Sequence, residues 1–158
     1  MTDINEALEL SSRSISAAGY RFQEFPRPAQ VLYLIEMAQN KTISAGTMGW
    51  LVEAPNAAAL GSTADALDEL GAPRCAAIIR QILAQLGGTP LADDPVERAK
   101  VVFEVSDAVA YVWRRLGDAL LDWPDDVAGL LDEYVAQNQE VFAELAERAP
   151  PSTKRRRR

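Results

Sequence analysis

The sequence predicts an all-α fold, a single compact domain of about six to seven helices followed by a disordered basic tail. A chain of 158 residues suits one domain, which at this length buries a core large enough to need no disulfide or metal. Hydrophobic residues make up 48% of the chain and charged residues 25%, which is typical of a folded protein. Apolar residues recur at helical intervals through most of residues 4–148. We expect an acidic helical domain at residues 1–149 and a disordered Pro/Arg-rich tail at 150–158.

Capping residues predict where the first helices begin and end. Asp3 and Glu6 have the spacing of a capping box at the start of the first helix. Pro28 suits the first turn of the second helix, which is predicted to end near Asn40. Ser44 is the expected cap of a short third helix.

The second half of the chain carries signals of the same kind. Asn56 and Gly71 bound the fourth helix, since Asn caps N-termini and Gly accepts the left-handed conformation that ends many helices. From Asp94 onward the apolar residues follow a period near 3.6, which predicts one long helix up to the break at Trp123-Pro124. The predicted helices span residues 4–18, 28–40, 44–51, 57–70, 73–86, 95–122 and 125–148.

Residues with common catalytic or metal-binding chemistry are scarce. The chain has no histidine, which is the commonest general base and a frequent metal ligand. The single cysteine, Cys75, shares a helical face with Ile78 and Ile82 and is predicted to be buried and unreactive. Adjacent carboxylates occur at predicted helix starts or on polar faces, where capping and solvation explain them. We therefore predict no catalytic residue, no cofactor, no metal and no small-molecule substrate.

The expected location is the cytoplasm. The first residues lack the basic and apolar regions of a secretory signal, and no apolar run approaches the length that spans a bilayer. A single cysteine agrees with a reducing compartment. No membrane association is expected.

Charge is distributed very unevenly along the chain. The net charge is −7, but the last five residues are all basic, so residues 1–153 carry −12. Residues 116–147, called the acidic segment below, contain nine acids and no base. Surface helices usually mix the two signs, because each i,i+4 ion pair stabilises a helix by about 0.2–0.5 kcal/mol. The bias therefore predicts a negative field that attracts a basic partner.

A stripe of carboxylates on the last predicted helix is the candidate binding surface. At about 100° per residue these acids share one face, opposite the apolar residues of the same helix. Carboxylates repeated at helical turns can present to a basic protein what a phosphate backbone presents. The stripe consists of Asp126, Glu133, Glu140, Glu144 and Glu147. The predicted partner-binding set also includes Asp118 and Asp122. The opposite, buried face is predicted to hold Val127, Leu130, Leu131, Tyr134, Val141, Phe142 and Leu145.

Other interpretations of the acidic segment remain open at this stage. The stripe could be an ordinary solvated helix face. The chain could be a small immunity or regulatory protein that neutralises an enzyme through a shape-specific interface, in which case binding would depend little on salt. It could also be an enzyme that uses only Asp and Glu, which would require a pocket lined by buried carboxylates.

Several segments together form a pattern that is similar to that of a known family. They are GWLVEAPN at 49–56, ALDELGA at 66–72, AAII at 76–79, LGDALLDWPDDV at 116–127 and LLDEYV at 130–135. The pattern resembles a bacterial all-helical family whose characterised members are described as double-stranded DNA mimic proteins. The family's Asn-Gly-Gly-aromatic box corresponds here only to Asn40 and, after an apparent insertion, Gly49-Trp50. The resemblance spans about residues 30–142 and implies a non-enzymatic acidic domain that binds basic, DNA-binding proteins such as a transcription regulator.

The basic tail, Lys154 to Arg158, could contact nucleic acid, an anionic membrane or the acidic face of its own domain. An incidental, solubilising terminus is the alternative. A DNA-binding protein normally places a basic face on its folded part, and here that part is acidic. Direct contact with nucleic acid is therefore expected only through the tail, if at all.

Overall fold

The computed structural model describes residues 1–152 and confirms the all-α fold. Within these residues the chain forms eight α-helices and one short 3₁₀ helix, and no strand. The α-helices are α1 (Ile4–Ala17), α2 (Arg27–Glu53), α3 (Ala57–Leu70), α4 (Pro73–Ala84), α5 (Pro95–Val102), α6 (Asp107–Leu121), α7 (Val127–Gln137) and α8 (Gln139–Arg148). The 3₁₀ helix is Phe22–Glu24 and precedes α2. The predicted tail has no regular structure at residues 150–152, and its remaining residues lie outside the described part.

Helix α2 is the centre of the fold. Five consecutive residues, Val31 to Ile35, are all buried, which requires neighbours on every side of the helix. Along its length α2 packs against the 3₁₀ helix and against α1, α3, α5, α6 and α7. Helix α8 packs on α1 and α7 at the edge of the bundle. None of the helices in residues 1–152 is both long enough and apolar enough to cross a membrane.

Helix α2 consists of two helical stretches divided at Gly46, in agreement with the two helices predicted here, but the division lies later in the chain than predicted. The helix does not end near Asn40 but continues to a kink at Gly46, where φ is 70° and ψ is −174°. This conformation is accessible essentially to glycine alone. The kink also brings two turns together, because a Cβ on Gly49 would overlap the Cβ of Ala45. Buried Thr42, beyond the predicted end, shows that packing holds the helix together through this stretch.

The predicted long helix at residues 95–122 is also divided. Helix α5 ends at Val102, and Ser106 begins α6 by accepting a hydrogen bond at its Oγ from Val109 N (3.3 Å). The apolar period continues across the break without a change of phase, so periodicity could not reveal it. The local signal was Ser106 followed by Asp107, an N-cap followed by an acid in the first turn.

Helix α6 is fixed by contacts with α2 and α4. The Trp113 side chain is fully buried, and its indole Nε1 donates to Ile82 O (2.8 Å). Thr47 Oγ1, just after the α2 kink, donates to Trp113 O (2.8 Å). Gly117 permits this close approach, since a Cβ there would lie 2.5 Å from Thr47 Oγ1. The orientation of α6, from which the acidic segment continues, is thereby set.

A fully buried arginine closes the end of α2. The Arg98 guanidinium donates to Val52 O (2.9 Å) and Ala54 O at the end of α2. It also donates to Ala92 O and Asp93 O (both 3.1 Å) in the loop that precedes α5. A cation at a helix C-terminus is favoured by the helix dipole and by the unpaired carbonyls there. Burial lowers the pKa of Arg98, and no carboxylate in residues 1–152 forms an ion pair with it. Sequence reasoning did not single out this residue.

Candidate functional site: the acidic segment

All seven acids of the predicted partner-binding set lie on the surface. Asp118 is in α6, and Asp122 is the residue that follows its last turn. Asp126 caps the N-terminus of α7, where its Oδ1 accepts from Gly129 N (3.1 Å), as the sequence position suggested. Glu133 is exposed on α7. The three acids on α8, also exposed, are Glu140, Glu144 and Glu147.

The prediction of one continuous stripe on one helix is wrong. The predicted helix 125–148 is interrupted at Asn138, whose φ of −120° and ψ of 27° separate α7 from α8. Asn138 Nδ2 donates to Tyr134 O (2.7 Å), so the side chain satisfies a carbonyl at the end of α7. The acids therefore form two shorter edges, Asp126 with Glu133 on α7 and the three glutamates on α8.

The apolar faces of α7 and α8 hold these edges outward, as predicted. Buried on the inner side are Val127, Leu131, Val135, Phe142 and Leu145. Leu130, Tyr134 and Val141 are only half-buried. Tyr134 instead donates its hydroxyl to Glu69 Oε1 (2.8 Å), and burial together with this hydrogen bond raises the pKa of the phenol.

Within residues 1–152, every ion pair lies outside the acidic segment. There are seven such pairs, and their acidic members all come from residues 9–97. The two bases next to the segment, Arg114 and Arg115, lie over the Tyr111 ring at 5.7 and 6.0 Å from its centroid. The nine carboxylates of the acidic segment thus have no ion-pair partner among residues 1–152. Exposed charges of one sign add to a common negative potential, which salt screens over a Debye length of about 8 Å.

Asp125 differs from the other acids of the segment. Its Oδ2 accepts from Cys75 N (2.9 Å) in the first turn of α4. The residue in the N-cap position of α4 is Ala72, which has no capping group, so Asp125 supplies the missing acceptor from elsewhere in the chain. Cys75 itself is buried as predicted, and burial raises the pKa of its thiol. This acid therefore has a structural role.

The surface also contains a groove that sequence reasoning missed. It lies between α1 and the start of α7, has a volume of about 620 Å³, and is lined by apolar residues of both helices. Trp123 and Asp132 are among the residues at this groove. Trp123-Pro124 was interpreted only as a helix break. An aromatic residue among acids was the available signal.

Residues 23–138 match the DMP19-like protein family. The chain belongs to this family. It is a family of DNA mimic proteins, in agreement with the expected resemblance over residues 30–142. No match was found among curated proteins or among solved structures. The DMP19-like region ends at Asn138, so it includes α2 to α7 and leaves α1 and α8 outside.

The DMP19-like region contains four of the seven predicted partner-binding acids. They are Asp118, Asp122, Asp126 and Glu133. The three glutamates of α8 lie beyond the matched region. Among residues 1–152, no group of three or more His, Cys, Asp or Glu side chains is arranged to hold a metal ion.

Proposed function

We propose that this protein binds a basic, DNA-binding protein through its acidic segment and does so by imitating the charge of duplex DNA, without catalysing a reaction. A transcription regulator is a suitable partner, and the cytoplasm is the compartment in which the two would meet. Membership of a DNA mimic family supports this proposal. The observation that carries it is the separation of charge within residues 1–152, where all seven ion pairs use acids outside the acidic segment and none uses an acid within it.

Physical chemistry explains how such a surface would work. A protein that binds DNA carries Lys and Arg placed to meet phosphates, and much of its affinity comes from these charges. Exposed carboxylates at helical spacing would meet the same side chains and accept charge-assisted hydrogen bonds. The negative field would also speed association by steering, which makes the rate depend on salt.

The test compares two variants that lose the same number of charges. In the first, Glu133, Glu140 and Glu144 are changed to Gln, which removes charge from α7 and α8 without touching their buried faces. In the matched control, Glu24, Glu97 and Glu104, all exposed and outside the acidic segment, are changed to Gln. Each protein is immobilised and used to capture basic proteins from an extract of its source cell, which are eluted with a salt gradient.

We expect the wild type and the control to retain the same DNA-binding protein, and a linear duplex DNA to displace it. The triple variant of the acidic segment should retain less of it and release it at lower salt. With the purified partner, surface plasmon resonance should show slower association and a weaker salt dependence for this variant only. Equal behaviour of both variants, or no displacement by DNA, would contradict mimicry. Tight binding with an affinity that does not change with salt concentration would instead favour the alternative, a small immunity or regulatory protein that neutralises an enzyme through a shape-specific interface.

A further inference from the structure

The groove beside α7 combines an apolar floor with an acidic rim. Ile4 and Leu8 of α1 and Leu131 of α7 are among the apolar residues that line it. Asp125, Asp126 and Asp132 are its charged residues, and no base among residues 1–152 lines it. Arg74 approaches the same segment at Pro124 O (3.4 Å) but is not part of the groove. The groove therefore offers apolar contact and negative charge in one place.

Trp123 is the distinctive residue of this groove. Of the three tryptophans, Trp50 and Trp113 are fully buried, whereas Trp123 is 38% exposed. Its backbone is in the left-handed region (φ 51°), and Pro124 follows. Partial exposure leaves the indole accessible to a ligand beside the carboxylates, and covering it would add a favourable burial of apolar surface. Tryptophan is also the aromatic residue that attracts cations most strongly.

The carboxylates of the rim retain oxygens for a ligand. Asp125 Oδ2 and Asp126 Oδ1 each accept one backbone N–H. Asp126 Oδ2 makes no side-chain hydrogen bond or ion pair with residues 1–152, and neither does Asp132, whereas Asp125 also interacts with the Cys75 thiol. Gln39 adds an amide to the same groove. A cation with several donors would find acceptors on more than one side.

We propose that this groove receives an arginine side chain of the basic partner. The inference rests on the proposed function and specifies one contact within it. The apolar stem of arginine matches the floor, and its planar guanidinium can stack on the indole while donating to two carboxylates at once. Lysine fits less well, since its ammonium is strongly hydrated and lacks a planar face. The volume of about 620 Å³ accommodates one such side chain with the backbone that carries it.

The test uses a short capped peptide of alternating glycine and arginine, with the lysine and citrulline versions as probes of charge and shape. Citrulline keeps the planar group of arginine and removes its charge. Tryptophan fluorescence follows binding to the full chain, because the peptide can contact Trp123 whereas the two buried tryptophans contribute a constant background. Calorimetric titration gives the dissociation constant for variants that lack the reporter. The variants are Trp123→Leu and Asp132→Asn, with Tyr111→Leu and Glu104→Gln as matched exposed controls outside the groove.

The arginine peptide should change the Trp123 emission saturably and bind more tightly than the lysine peptide, and the citrulline peptide should have no effect. Trp123→Leu should weaken arginine binding roughly two- to fivefold, as expected for a partly exposed cation–π contact. Asp132→Asn should weaken it as well, and both controls should bind like the wild type. Replacing the four tail arginines by Gln should leave the Trp123 dependence in place.

Two results would overturn the inference. If Trp123→Leu binds the arginine peptide as tightly as the wild type does, the groove is not the site. If the lysine and arginine peptides bind equally well, the groove recognises charge alone and not a guanidinium. These results are separate from the test of the proposed function. Loss of partner binding in the acidic-segment variant without Trp123 dependence would retain mimicry and reject the groove, and the reverse pattern would retain a cation site and reject mimicry.

Discussion

Replacing Arg98 by methionine tests whether the buried guanidinium holds α5 against the end of α2. Methionine keeps a similar length and an apolar stem but donates no hydrogen bond. The variant should fold and be clearly less stable than the wild type. Arg98→Lys, which keeps the charge but has fewer donors and no planar group, should fall between them.

The magnitude follows from the four carbonyls that Arg98 serves. Ala92 and Asp93 are exposed, so water can replace the guanidinium at their carbonyls. The carbonyls of Val52 and Ala54 belong to the packed end of α2, and an unpaired buried acceptor costs about 1–3 kcal/mol. Loss of a cation at the helix C-terminus adds about 0.3–1 kcal/mol, and relief of the buried charge offsets part of the total. We expect a net loss of about 2–4 kcal/mol.

Urea unfolding followed by circular dichroism measures this loss as a lower midpoint with an unchanged slope. The control is Lys100→Met on the same helix, where an exposed pair with Glu97 is removed and the change should stay within about 0.5 kcal/mol. A loss below about 1 kcal/mol for Arg98→Met would show that water already satisfies the end of α2. The reasoning about the buried guanidinium would then be refuted.

Three further predictions concern other parts of the fold. Gly117→Ala should destabilise the protein by about 1–3 kcal/mol by overpacking, whereas Gly61→Ala, with open space around the position, should stabilise it by about 0.4–1 kcal/mol in the same urea assay. Asp125→Ala should cost about 0.5–2 kcal/mol by removing the acceptor for Cys75 N. Burial raises the pKa of Tyr33 to about 12 from an unfolded value of 10.0. The stability it confers is therefore complete below pH 10 and lost as the pH rises towards 12, and Tyr33→Phe should show a smaller alkaline loss.

Local signals predicted those helices whose ends depend on nearby residues. Asp3 caps α1 at Glu6 N, Asn56 caps α3 at Ala59 N, and Gly71 ends α3 with a φ of 94°. Each of these ends is set by an interaction within a few residues, so the sequence contains the necessary information.

The kink and the two helix breaks could not be predicted in the same way. At Ser106 the apolar pattern continues in phase, so periodicity hid the break although Ser106 was available as a capping signal, and at Gly46 the residue type did not fix which of several positions would divide the helix. At Asn138 a single side chain bonds to the preceding turn. The outward orientation of the acids was predictable from the apolar residues opposite them. The Trp123 groove was not, since α1 and α7 meet there from distant parts of the sequence.

The hydrogen bonds between Thr2 and Gln139 link the two edges of the chain that lie outside the DMP19-like region. Thr2 N donates to Gln139 Oε1 and Gln139 Nε2 donates to Thr2 O, both at 2.9 Å, and α8 packs on α1 beside them. Helix α1 also packs on α2 and α7, so it connects α8 to the centre of the fold, and hydrogen exchange would show whether the protection of α8 follows that of α1. Three of the nine segment carboxylates are on α8. The first helix, which contributes none of them, therefore supports by direct packing the helix that carries these three acids.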